Sequence, residues 1–241
     1  MEEIKVNVTA SGNEVIVREG EAAPIYNYQG FSHAAYSTQS FIDLVKSKAN
    51  QPAAVIAYNE KQVQAILDDT VKDRRQDKVY YDFKRSQQFD EWAGILGRGV
   101  VFEQKEIIDF VRRREEGEIP DAEELLATLR NFRFAVTTTG DCLYEDNSNY
   151  TFAIKVGEQE GAVSIPKAIY PNIEIYNESG LIQSIEIEIE VTKPRSQDEK
   201  LKFSLTCPKF KRYEKEALDS EIKKVKDGLE GFLIVAGDIF R

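Results

Sequence analysis

This sequence predicts an α+β fold, mainly antiparallel sheet packed with helices, and three observations carry the prediction. Apolar and polar residues alternate in many short stretches, of which IQSIEIEIEVT at 182–192 is the most regular. These stretches are joined by brief polar turns, as in hairpins and meanders. Between 85 and 131 the apolar spacing changes to three and four residues, the period of helices. The chain is therefore expected to be one compact unit in three parts. Residues 1–84 form a β-rich part with one helix, 85–131 a three-helix segment, and 132–241 a second β-rich part with a long charged helix.

In the first part, IKVNVT (4–9) places Ile4, Val6 and Val8 at alternate positions, SGN turns the chain, and EVIVRE (14–19) resumes the extended pattern, so a hairpin is expected. GEAAP interrupts it, and IYNYQGF (25–31) reads as a further strand. Thr38 or Ser40 is placed to cap a helix carrying Phe41, Leu44 and Val45. AAVIAYN (53–59), VQAILDD (63–69) and VYYDFK (79–84) then make a meander crossed by that helix.

In the middle part, Phe89, Trp92, Ala93 and Leu96 share one helical face, as do Ile107, Phe110 and Val111. Leu125, Leu126 and Leu129 follow the breaker GEIPDAEE. Pro120 suits the first turn of that third helix, with Asp121 and the following glutamates near the positive end of its dipole. AGILGRGVVFEQKEIIDF (93–110) sets Gly94, Gly97 and Gly99 ahead of a helix, the order of parts in a phosphate-binding loop. Its GxxGxG spacing matches neither GxxxxGK[ST] nor GxGxxG, and the residues before it are helical rather than extended. We therefore read a turn between helices in which Gly97 or Gly99 adopts positive φ.

In the last part, FRFAVTTTG (132–140) and NYTFAIKV (149–156) read as strands. Along 182–192, Ile185, Ile187, Ile189 and Val191 line one face and Glu186, Glu188 and Glu190 the other. LKFSLTC (201–207) would pair with it through PRSQDE and bring Lys202 to the glutamate face. Such a long strand is an aggregation hazard at an open edge, so it is expected to be central or paired across a subunit interface. A charged helix from about 210 to 229, with Leu218, Ile222, Val225 and Leu229 on one side, precedes the apolar segment FLIVAGDIF.

Composition narrows the function classes. The 241 residues are 41% hydrophobic and 31% charged, which suits a folded protein with a sizeable core. The net charge of −10 opposes non-specific nucleic-acid binding. Cys142 and Cys207 stand far apart without CxxC spacing, so neither a disulfide framework nor a zinc site is expected. No apolar run approaches the length of a membrane span, and MEEIKVNVTAS has no signal-peptide pattern, so a cytoplasmic location is expected.

Chemistry is sparse. The single histidine, His33, lies among hydroxyls and a tyrosine in GFSHAAYSTQ, without a GxSxG or paired-His motif, and reads as a surface residue. Asp141, Glu145 and Asp146 in GDCLYEDNSNY are the candidate ligands of a divalent cation, and through it of a metal-dependent hydrolase. The same residues are ordinary turn formers and lack the calcium-loop pattern. The basic run RRR (112–114) sits at a helix C-terminus, where cations are stabilised in any case. Lys209, Phe210, Lys211, Arg212 and Tyr213 form the candidate nucleic-acid site, since aromatics between cations can stack on bases. No cofactor is implied.

Three segments carry a family resemblance: STQSFIDLVKSKANQPAAVIAYNEKQVQAILDD, FKRSQQFDEWAGILGRGVVFEQKEIIDFVRRREE and SIPKAIYPNIEIYNESGLIQSIEIEIEVT. Together they resemble the phage and prophage family of uncharacterised proteins typified by YfdQ, over about residues 36–240. The matching positions are Phe41, Leu44, Val45, Val55, Ile56, Tyr58, Asn59, Trp92, Gln104, Ile107, Phe110, Ile165 and Pro166. One departure is VVFEQKEIID, where the family motif often has a small polar residue before the glutamine. The resemblance implies a phage origin and action in the cytoplasm of a bacterial host, with no reaction and no catalytic residues to carry over. The expected function is a non-enzymatic accessory protein that binds a host protein or defence component as a homo-oligomer. The alternatives are a helper of phage DNA replication or recombination and the metal-dependent hydrolase.

Overall fold

Two sheets and the helices packed on them share one core in this computed structural model, which describes residues 9–11, 14–16, 31–70, 77–131, 142–143, 149–156, 159–192 and 200–238. The fold is α+β. β1 (Thr9–Ser11) and β2 (Glu14–Ile16) pair antiparallel, with Ser11 of the expected turn SGN already in the ladder opposite Glu14. β3 (Ser32–Ala34) leads into α1 (Thr38–Lys48). The cap is Ser37, one residue ahead of the expected position, and its Oγ accepts the Ser40 N–H at 3.2 Å. Thr38 is buried and is used elsewhere, as described below.

β4 (Val55–Tyr58), β5 (Gln62–Ile66) and β6 (Lys78–Asp82) form the expected meander. The Asn59 Oδ1 closes its first turn by accepting the Lys61 and Gln62 N–H groups at 2.7 and 2.9 Å. α2 (Gln87–Arg98) starts at Ser86, whose Oγ accepts the Phe89 N–H at 3.0 Å. It stops at Gly99, whose φ of 59° is the left-handed conformation that glycine adopts without a Cβ clash.

The next residues correct the reading of a simple helix-to-helix turn. β7 (Val101–Glu103) intervenes before α3 (Gln104–Arg112), and α4 (Ala122–Asn131) follows. β7 is too short for an alternating pattern to reveal it. It exists because Phe102 is registered opposite Phe203 of a strand far along the chain, with which it pairs antiparallel. The Glu106 carboxylate caps the start of α3 by accepting the Glu103 N–H at 2.8 Å.

The remaining elements are β8 (Cys142–Leu143), β9 (Asn149–Val156), β10 (Gln159–Pro166), β11 (Ala168–Ile169), β12 (Asn172–Glu174), β13 (Ile182–Ser184), β14 (Ile187–Thr192), β15 (Lys202–Thr206), α5 (Phe210–Gly228) and β16 (Leu233–Ala236). The expected strands at 25–31 and 132–140, the outer parts of the first hairpin and the turn PRSQDE lie outside the described residues, apart from a few flanking positions.

One sheet has the order β16-β4-β5-β6-β3, with the two outer strands parallel to their neighbours. Ile56, Val63, Ala65, Val79 and Tyr81 are buried from this sheet in a core shared with Phe41 and Val45 of α1 and Val225 of α5. A second, antiparallel sheet has the order β11-β14-β15-β7 and meets α2 and α3. Full burial of each such aliphatic or aromatic side chain contributes about 1.5–3 kcal/mol.

The expected single strand 182–192 is two strands. β13 pairs with β12, whereas β14 lies between β11 and β15. The ladder breaks because the Ile185 N–H is given to the Pro171 carbonyl at 2.9 Å and the Glu186 N–H to the Tyr213 hydroxyl at 3.3 Å. The face alternation survives the break, with Ile185, Ile187 and Ile189 buried and Glu188 and Glu190 exposed. Since β14 is central within its own chain, this strand supplies no reason for self-association. Ser204 Oγ hydrogen-bonds Glu190 at 3.3 Å, and Lys202, opposite Thr192, also shares the glutamate face.

Candidate functional site

α3 ends at Arg112 and α4 begins at Ala122, and residues 113–121 between them form a loop anchored from within. Its path needs two left-handed residues, Gly117 at φ 82° and Asp121 at φ 58°. Glycine adopts this region freely, and aspartate is among the few other residues that tolerate it.

Between them Glu118 turns inward and is only 3% exposed. Its Oε1 accepts the Trp92 Nε1–H at 2.7 Å and its Oε2 the Glu115 N–H at 3.1 Å. Arg114 balances the charge, with one guanidinium nitrogen 3.7 Å from Glu118 and another 2.6 Å from Glu91. Hydrogen bonds from Gln87 and then Arg114 hold the Glu91 carboxyl below its ordinary pKa. The Arg114 guanidinium also lies over the Phe110 ring, 4.4 Å from its centroid. The Glu118 carbonyl accepts the Asn172 N–H at 2.6 Å, which ties the loop to β12. With Glu118 and Ile119 drawn in, Glu115 and Glu116 are left facing out.

The loop is thus a ridge between two open grooves. One, of about 520 Å³, is lined by Gln88, Glu115, Glu116, Asn172, Glu174 and Ile182 among others. Ile182 is 67% exposed, an apolar side chain beside several carboxylates. Glu174 is fixed there by the Gly180 N–H at 2.6 Å and the Ser179 hydroxyl at 3.2 Å. The other groove, of about 770 Å³, runs between the end of α3 and the start of α4. Pro120 and the half-buried Leu126 are its accessible apolar residues, over the buried Val111 and Ile119, and Glu115, Glu116, Asp121, Glu123 and Glu124 form an acidic rim beside Arg112. The exposed carboxylates give this surface an excess of negative charge, which suits contact with a cationic surface.

The residues singled out in the sequence fall elsewhere. Asp141, Glu145 and Asp146 lie outside the described residues. Among the described residues, no group of three or more histidine, cysteine, aspartate or glutamate side chains is arranged to hold a metal ion. Lys209, Phe210, Lys211, Arg212 and Tyr213 do cluster at the start of α5, but most are engaged within the protein. Phe210 stacks on Phe89, with centroids 4.7 Å apart, and Tyr213 receives the Glu186 N–H. Lys209 pairs with Glu186 and Arg212 with Glu216, both at 2.7 Å. Lys211 is exposed. The aromatic rings meant to stack on bases are therefore used for packing. His33 is exposed on β3 and stacks on Phe31.

Sequence reading missed two buried glutamates. Glu118 stood within an apparent breaker, GEIPDAEE, and no periodicity marked it as internal. Glu221 carried a signal: it lies four residues from both Ala217 and Val225, on the apolar stripe of α5. It is 1% exposed, accepts the Thr38 hydroxyl from α1, and pairs with Lys224 at 2.6 Å. Burial first and the nearby Glu221 second push the Tyr81 phenol up to about 12.

Among the described residues, no helix is long and apolar enough to cross a membrane. Comparison of the chain with protein-family models, curated proteins and solved structures finds no match.

Proposed function

We propose that this is a phage-encoded accessory protein that works by binding a host protein or defence component, and that the ridge 113–121 with its two grooves is the contact surface. The observation that carries the reading is the anchoring of this loop. Glu118, Arg114 and Trp92 fix it from below, so that Glu115 and Glu116 are held outward beside the exposed Ile182. A loop with two left-handed residues, held by buried partners and flanked by grooves, has the features of a recognition element. The phage origin and the action in the bacterial cytoplasm rest on the sequence resemblance. Homo-oligomer formation is supported by β16, an edge strand without charge along LIVA, whose Leu233 and Val235 are 59% and 40% exposed.

The test is affinity capture from infected cells with the wild-type chain and the double variant E116K/I182D, both at exposed positions. A host protein retained by the wild type and lost by the variant is the expected result. A captured set that the variant leaves unchanged overturns the assignment of the surface.

A further inference from the structure

We propose that β16 pairs antiparallel with the β16 of a second copy of this chain, about a twofold axis at Val235, so that two five-stranded sheets become one. The inference deepens the self-association in the reading above and rests on it.

The direction of the open backbone groups sets the register. Among the described residues β16 is the outermost strand of its sheet, and it runs parallel to β4. The Gly237 N–H is given to the Tyr58 carbonyl at 2.8 Å, so Gly237 directs its backbone groups at β4. Successive residues of a strand direct theirs to opposite sides. Leu233 and Val235 therefore also face β4, and Ile234 and Ala236 turn their N–H and C=O groups to the open edge. An antiparallel copy that uses all four groups places its Ala236 opposite Ile234 and its Ile234 opposite Ala236. Val235 then meets Val235 on the axis, and Leu233 meets Gly237. A shift that set Ile234 against Ile234 would put Ala236 opposite Phe232, whose N–H is already given to the Leu229 carbonyl at 3.1 Å.

The side chains fit an identical strand. Along 233–237 their size falls from leucine and isoleucine through valine to alanine and glycine. Run against itself, the sequence sets a large residue beside a small one at each pair, with valine beside valine at the centre. Leu233 and Val235, 59% and 40% exposed, lie on one face of the strand, and the pairing brings the stripes of both copies together.

Charge gives an independent argument. Each chain carries −10, which opposes association, yet 231–237 contains no charged residue. Open edges are commonly guarded by lysine or proline, and β16 has neither. The opposite outer strand, β3, presents serine, histidine and alanine and lacks the graded sizes. Pairing of β16 with β3 of another copy would also leave edges free and grow without closing.

The test is sedimentation equilibrium of the full chain at about 1–100 μM, joined to oxidative cross-linking of cysteine variants. The wild type should approach twice the mass of one chain. Val235→Lys sets two like charges face to face on the axis and should stay monomeric with an unchanged circular dichroism spectrum. A non-hydrogen-bonded pair brings its Cα atoms to about 4.5 Å, within disulfide reach, whereas the two copies of Leu233 would lie about 13 Å apart along the strand. Val235→Cys should therefore link two chains at least about tenfold faster than Leu233→Cys, above the background that Cys142 and Cys207 give in the wild type.

A monomer throughout the range removes this pairing and self-association together. A wild-type oligomer that a folded Val235→Lys leaves intact, or that the two cysteine variants link at equal rates, overturns the pairing and leaves self-association to another surface. Masses that keep rising beyond two chains overturn it as well, because such a contact does not close. If Val235→Lys unfolds, the cysteine comparison decides, since it places no charge in the strand.

Discussion

Glu118→Ala tests whether the loop 113–121 is held from inside. The substitution removes the acceptor of the Trp92 Nε1–H at 2.7 Å and of the Glu115 N–H at 3.1 Å, and leaves Arg114 with Glu91 as its remaining carboxylate partner. Each buried donor left unpaired costs about 1–3 kcal/mol, and breaking a buried ion pair from one side costs about 3–5 kcal/mol. These losses overlap within one network, so their sum overstates the effect. Because Arg114 keeps Glu91, we expect about 3–5 kcal/mol in total, a large share of the 5–15 kcal/mol typical of folded domains. Urea unfolding followed by circular dichroism measures it. A double-mutant cycle with Trp92→Phe, which deletes the indole donor, should show a coupling of about 1 kcal/mol or more. A loss below about 1 kcal/mol for Glu118→Ala, or no coupling in the cycle, would refute the anchoring argument.

Gly99→Ala should cost about 1 kcal/mol, because the glycine has φ 59° while a Cβ there meets nothing within 4 Å, so backbone strain is the only penalty. A neutral result in the same urea assay would show that α2 can end another way. Alkaline titration should find two late tyrosines. Burial first, then Glu221 for Tyr81 and Glu214 for Tyr176, raises both phenols from 10.0 to about 12. The fold favours the neutral phenol, so this contribution is complete below about pH 10 and is lost as pH rises to about 12. Tyrosinate absorbance that titrates fully near pH 10 while the chain stays folded would contradict the burial of both rings.

Much of the architecture can be read from neighbours along the chain. The alternation of Ile185, Ile187 and Ile189 with glutamates fixes which side of the strand is buried, and it does so even across the break at Ile185–Glu186. The meander at 55–82 and the stop of α2 at glycine are equally local, since strand period, turn chemistry and left-handed glycine depend on a few adjacent residues. AGILGRG, a phosphate-loop look-alike, is accordingly legible as a helix end.

The candidate site was not legible in this way. Glu118 and Glu116 belong to the same acidic run, yet one is enclosed and the other exposed. That difference arises because α2 brings Trp92 beneath the loop and β12 brings the Asn172 N–H beside it, contacts across 26 and 54 residues. Likewise Phe210 is a packing ring because Phe89 lies against it, and β7 is a strand because β15 lies opposite. By itself the sequence determined periods, caps and faces, which are set by each residue's own backbone and its near neighbours. The tertiary structure decided which charges face inward and where grooves open, because those outcomes depend on partners that only folding brings together.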